Sequence, residues 1–210
     1  MARVDTMWQP DGWGSRARVG VLTPHNDIVP EGEFEAMAPG GVSSSSYLLG
    51  PDGDAALKGR LEKRTHGIPI VSPCSAAALA LRALGVRRLA IVHPPWLPAQ
   101  LDELGGEYFR KQGFDVVYAA AAAGLPGSQS SIEPAQVYEW VRTHVPDTAE
   151  AVFIGGGGLR AIGAIGALEA TLARPVLSAN QVLFWHALRL ARVDEPIVRY
   201  GRIFGYQLPD

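Results

Sequence analysis

Four consecutive glycines, Gly155–Gly158, follow the apolar run AVFI and lead into the alanine-rich stretch LRAIGAI. A buried strand entering glycines and then a helix lets backbone approach a ligand closely, and the helix start offers free N–H groups to an anion. The chemistry this predicts is capture of a small carboxylate or other anion at Gly156, Gly157 and Gly158; a tight turn with no ligand is the alternative. Gly156, Gly158 and Ala161 also fit G-x-G-x-x-A. A dinucleotide reading fails, because that fingerprint opens its lobe and the following strand, RPVLSAN, ends without an acidic ribose ligand. A Walker loop is excluded, since no Gly-Lys-Ser/Thr follows.

Two carboxamides, Asn26 in LTPHND and Asn180 in LSANQ, sit just past predicted strands, where open α/β sheets collect ligands. Each could hold substrate or cap the following helix. Ser43, Ser44, Ser45, Ser46 and Tyr47 bring hydroxyl donors to the same zone. The single cysteine, Cys74, opens a predicted helix, where a thiolate can be stabilised; it also reads as a small buried hydrophobe. The five histidines are scattered without metal-ligand spacing, and no Ser-His-Asp arrangement is visible. His25, His93 and His186 each read as readily structural as functional.

The elements that must position these residues follow from alternating β-branched and alanine/leucine-rich stretches, the pattern of parallel α/β units. Strands are predicted at 18–23, 69–72, 89–93, 115–119, 151–154 and 175–179. Helices are predicted at 53–65, 75–84, 98–112, 133–144, 159–172 and 181–191. With 47% hydrophobic and 19% charged residues the 210-residue chain has ordinary globular composition. A formal net charge of −2 gives no basis for nucleic acid or an anionic membrane surface as partner. The first residues hold no signal-like apolar stretch, and no run can span a bilayer; with one cysteine, the expectation is a reducing cytoplasm.

An internal repeat adds organisation. IPIVSPCSAAALALRAL (68–84) resembles RPVLSANQVLFWHALRL (174–190), and VGVLTPHND (19–27) resembles LAIVHPPWL (89–97). Thr23 to Ser72 spans 49 positions, whereas the equivalent His93 to Ser178 spans 85. The first half is therefore short by about 36 residues, roughly a strand and a helix with their loops. The deficit falls between Pro30 and Gly53, around GGVSSSSY. The expected architecture is α/β, with two pseudo-symmetric Rossmann-like parallel-sheet lobes: an incomplete one at 1–84 and a complete doubly wound one at 85–180. A carboxyl-terminal helical segment, 181–210, packs back on the first.

The segments RVGVLTPHNDIVPEGEFEAMAPGGV, SSSYLLGPDG, LRALGVRRLAIVHPPWLP, AVFIGGGGLRAIGAIGALE and RPVLSANQVLFWHALRLA together resemble the aspartate/glutamate racemase superfamily, in its maleate cis-trans isomerase and arylmalonate decarboxylase branch. The resemblance implies an active site between the lobes and cofactor-independent chemistry on a small dicarboxylate or arylmalonate. It implies one or two cysteines that move a proton beside a carboxylate or add to a double bond, and a homo-oligomer. It places Asn26 and Asn180 on the substrate and Ser43–Tyr47 in the tail of the catalytic loop. The two cysteine positions fall at about Val42 and at Gly156, and neither is cysteine; Cys74 matches neither. The reaction the resemblance implies is isomerisation, racemisation or decarboxylation, and with both thiols absent the expectation for this chain is weak activity or none; a non-catalytic carboxylate-binding or protein-interaction relative and a truncated gene product are the alternatives.

Overall fold

The computed structural model describes residues 47–127, 131–195 and 197–209. Asn26, Val42, Ser43, Ser44, Ser45 and Ser46, the first expected strand and most of the 30–53 junction lie outside them.

After a 3-10 turn at Tyr47–Leu49, α1 spans Gly50–Arg64 and α2 spans Pro73–Ala83. Four strand–helix units follow: β1 (Arg88–His93) with α3 (Gln100–Lys111), β2 (Asp115–Ala121) with α4 (Pro134–His144), β3 (Ala151–Ile154) with α5 (Ile162–Leu172), and β4 (Val176–Ser178) with α6 (Ala179–Leu190). The four strands form one parallel sheet in the order β2-β1-β3-β4. Helices cover both faces of such a sheet, so its central strands read as unbroken apolar runs. Every residue of β3 is buried, as are Leu89–His93 of β1. The order reverses between β1 and β3, which makes their carboxyl ends the switch point where open α/β sheets form a ligand crevice.

Most predicted elements form with ends shifted by one to three residues, and three departures from the sequence expectation change how the site is built or held. Residues 69–72 form no strand among the described residues, because their backbone joins no ladder; the Ile70 N–H instead donates to the Glu62 carboxylate at 3.1 Å. Helix α5 begins at Ile162 rather than 159, leaving a loop between the glycine run and the helix. The carboxyl-terminal helix ends at Leu190. There Arg192 takes a left-handed φ of 57° and the Val193 N–H reaches back to Leu188 O, a Schellman closure. The chain beyond is irregular apart from a 3-10 turn at Arg202–Gly205.

That tail is fastened by side chains of α5 and α6. Buried Arg189 donates from Nε to Tyr206 O at 2.9 Å and from its other nitrogens to Val193 O and Phe204 O. Trp185 Nε1 donates to the same Tyr206 carbonyl, and the Glu169 carboxylate accepts the backbone N–H groups of Val176 and Arg202. Helix α6 also packs along α2. His186 on α6 is buried, and no described group bonds its Nδ1. Burial, helped by the Lys58 charge, pushes its pKa down to about 4. A histidine charged more readily when unfolded withdraws stability as pH falls from the unfolded value of 6.5 toward 4; at 1.36 kcal/mol per unit the loss approaches roughly 3 kcal/mol. Denaturant titrations of His186→Leu across that window should show a flatter pH dependence than the unsubstituted chain.

Candidate active site

At the switch point the carboxyl end of β1 delivers His93 and the end of β3 delivers the glycine run. The Gly155 N–H extends the sheet by donating to Val92 O at 2.8 Å. Beyond it the chain leaves the ladder, with Gly156 at φ +81°, a conformation open to glycine. The backbone N–H groups of Gly156, Gly157 and Gly158 bond no group among the described residues. Asn180 Nδ2, on the first turn of α6, donates to Gly157 O at 2.9 Å and pins the loop. The helix cap is Ser178, whose side chain pairs reciprocally with Gln181, so capping does not account for Asn180. The structure thus brings together Gly156, Gly157, Gly158 and Asn180. Successive backbone N–H groups left without a described partner are donors of the kind a carboxylate or an oxyanion accepts.

No side chain fits at Gly156. A Cβ there would stand 2.6 Å from Pro94 Cγ and 2.8 Å from Pro94 Cδ. The expected position of the second thiol is therefore filled by the proline that follows β1.

Against Gly155, at the root of the loop, lies a buried hydrogen-bonded chain. His93 Nδ1 donates to Asp102 Oδ1 at 2.6 Å, and the Tyr47 hydroxyl stands 3.1 Å from His93 Nε2. Asp102, in the first turn of α3, is itself held by the Ala121 N–H on Oδ2 at 3.1 Å. Burial pushes the His93 pKa down, against an opposing pull from Asp102, so the resting ring is neutral with its proton facing the carboxylate. Nε2 is then the acceptor for the Tyr47 O–H. Burial first, and then the nearby Cys74, Tyr108 and Asp102, raises Tyr47 well above an ordinary phenol. A Cβ on Gly155 would lie 2.9 Å from Tyr47 Oη and 3.0 Å from His93 Cδ2, so this glycine lets the chain reach the loop. Gly105 on α3 does the same from the other side, its missing Cβ leaving room for the His93 ring.

Cys74, the second residue of α2, is 3% exposed and lies close enough to Tyr47 and Tyr108 to raise both phenols. A second polar knot sits beside it, where Asp54 accepts hydroxyl protons from Ser72 at 2.6 Å and Tyr108 at 3.1 Å. In the sequence His93 reads as readily structural as functional, and Asp102 is not among the expected site residues. The available signal was a strand-end histidine followed by an acid in the first turn of the next helix.

A parallel α/β sheet with a glycine loop at its switch point and a buried Tyr–His–Asp chain against that loop defines the class of fold. The chain belongs to the arylmalonate decarboxylase family, whose profile matches residues 31–204. It is 29% identical over 170 residues to the arylmalonate decarboxylase of Bordetella bronchiseptica, across 77% of this chain and 68% of that protein. A crystal structure of arylmalonate decarboxylase superposes with a TM-score of 0.74 at 23% identity, covering 88% of this chain and 97% of that one. A cysteine-to-alanine variant of the maleate isomerase from Pseudomonas putida S16, solved with maleate, gives 0.72 at 21% identity, covering 90% and 98%. These homologues are enzymes. Among the described residues no helix is long and apolar enough to cross a membrane, and no group of three or more His, Cys, Asp or Glu could hold a metal ion.

Proposed function

We propose that this chain decarboxylates a small arylmalonate-type diacid by the cofactor-independent route its family resemblance implies, and that thiol-addition chemistry of the isomerase kind is impaired in it. The observation that carries this reading is the row of three backbone N–H groups, Gly156–Gly158, at the switch point of a chain whose family match is to arylmalonate decarboxylase. Loss of carbon dioxide from a malonate leaves an enediolate, and preorganised N–H donors are what that charge requires. Isomerisation by addition requires a nucleophile. At Val42 and Gly156 the expected nucleophile is absent, and Pro94 closes the second position. An unactivated serine is scarcely ionised near neutral pH and does not replace a thiol.

The test is to incubate the purified chain separately with phenylmalonate and maleate, following both by proton NMR. Phenylacetate should appear from the first, and fumarate should not appear from the second. Asn180→Ala, which frees the loop, should slow decarboxylation by about tenfold or more, since losing one positioned group commonly costs that much. Fumarate without phenylacetate would overturn the reading. Calorimetric binding of phenylmalonate without turnover would favour a carboxylate-binding relative instead.

A further inference from the structure

Decarboxylation consumes one proton, because the carbon that loses carbon dioxide must gain hydrogen. With no side chain at Gly156, the proton has to come from elsewhere. Resting on the decarboxylase reading, we propose that Tyr47 is the acid that protonates the substrate carbon, and that His93 and Asp102 are positioning residues that recharge it.

Geometry singles out this chain. Among the described residues, Tyr47 Oη is the hydroxyl lying directly against the first glycine of the loop, within 3 Å of where a Gly155 Cβ would stand. It bonds a fully buried imidazole, which in turn bonds a carboxylate held by a backbone N–H. Such a three-member chain is a poor choice for packing alone, since each buried polar group must be matched. The titratable groups around it are Asp102 from α3 and Tyr47 itself, with Tyr108 of α3 and Cys74 of α2 one layer out.

The proton balance closes without another reactant. In the empty site the Tyr47 O–H points at His93 Nε2. As a dianion binds the loop, His93 takes one proton from solvent on Nε2, and the Asp102 carboxylate stabilises the imidazolium. Its Nε2–H then donates to the Tyr47 oxygen, and the Tyr47 O–H turns to the ligand. When the bond between the α-carbon and one carboxylate breaks, carbon dioxide leaves and the electron pair remains as an enediolate. The Tyr47 proton passes to that carbon, forming the new C–H bond. The Nε2 proton passes to the Tyr47 oxygen, and His93 returns to its neutral form.

The experiment uses the full chain and methyl(phenyl)malonate, whose product is chiral. Carbon dioxide release and product enantiomeric excess are read together for the unsubstituted chain, Tyr47→Phe and Asp102→Asn. Tyr47→Phe should lower kcat by roughly 100-fold or more with KM little changed, the scale of losing a general acid, and should erode the enantiomeric excess as water protonates the enediolate. Asp102→Asn should lower kcat less and keep the excess. Calorimetric titration of phenylsuccinate, a dianion that is not a malonate and does not lose carbon dioxide, in buffers of different ionisation enthalpy should show proton uptake on binding that His93→Gln abolishes; uptake unchanged in His93→Gln overturns the relay even where a Tyr47 variant fails to fold. Release at the original rate and enantiomeric excess in Tyr47→Phe overturns this assignment alone. Absence of release from the unsubstituted chain overturns the proposed function and this assignment with it.

Discussion

Gly156→Cys, the substitution that would supply the missing second thiol, should destabilise the chain by about 2–6 kcal/mol and yield no thiol chemistry. Two costs add. A non-glycine residue at φ +81° carries backbone strain of about 1–3 kcal/mol. The new Cβ, 2.6 Å from Pro94 Cγ, forces an overpacked contact costing about 1–3 kcal/mol more. At about 2–4 °C per kcal/mol for a chain of this size, the melting temperature should fall by roughly 4–24 °C. Adding Pro94→Ala removes the Cγ and Cδ contacts and should recover the overpacking part while leaving the strain. A double-mutant cycle followed by thermal unfolding isolates the coupling. Full stability in the single variant would show that the loop is free to rearrange, and the thiol-free account of the site would lose its structural basis.

Arg189→Ala should be comparably severe, for an unrelated reason. Its guanidinium is buried and donates to the carbonyls of Val193, Phe204 and Tyr206, which no apolar side chain can satisfy. Removing it strands those acceptors and unfastens the tail from α6, at a cost of about 3–5 kcal/mol. Arg189→Lys keeps a charge but lacks the planar fork, and should recover less than half of that loss. Chemical denaturation measures both, and protease cleavage after residue 190 should rise in step. An Arg189→Ala variant as stable as the parent would mean the carbonyls find other donors.

The sheet was legible because its strands are short with apolar centres and stand apart from the alanine- and leucine-rich helices; AVFI at 151–154 is the clearest, its boundaries unchanged in the fold. Segment 69–72 reads the same way, but strand formation needs a neighbour in the ladder, which local sequence does not display. The glycine run was legible as an anion site, and the link from Asn180 to Gly157 gives the carboxamide a place beside it. Expecting the helix to start at 159 overlooked Leu159 and Ala161, whose side chains are buried in the core before the first helical turn begins. The His93–Asp102 pair was hidden because its two members sit nine positions apart on different elements. What joins them is the βα turn, a tertiary feature that no periodicity announces.

Carbon dioxide release from phenylmalonate by the Cys74→Ser chain, set beside the unsubstituted chain, puts the heaviest weight on the idea of a malonate-cleaving site that works without sulfur. The expected result is release from both at rates within about twofold, since a residue outside the reacting set shifts kcat/KM little. Release that disappears with the thiol while the fold persists would contradict it, as would no release from either chain.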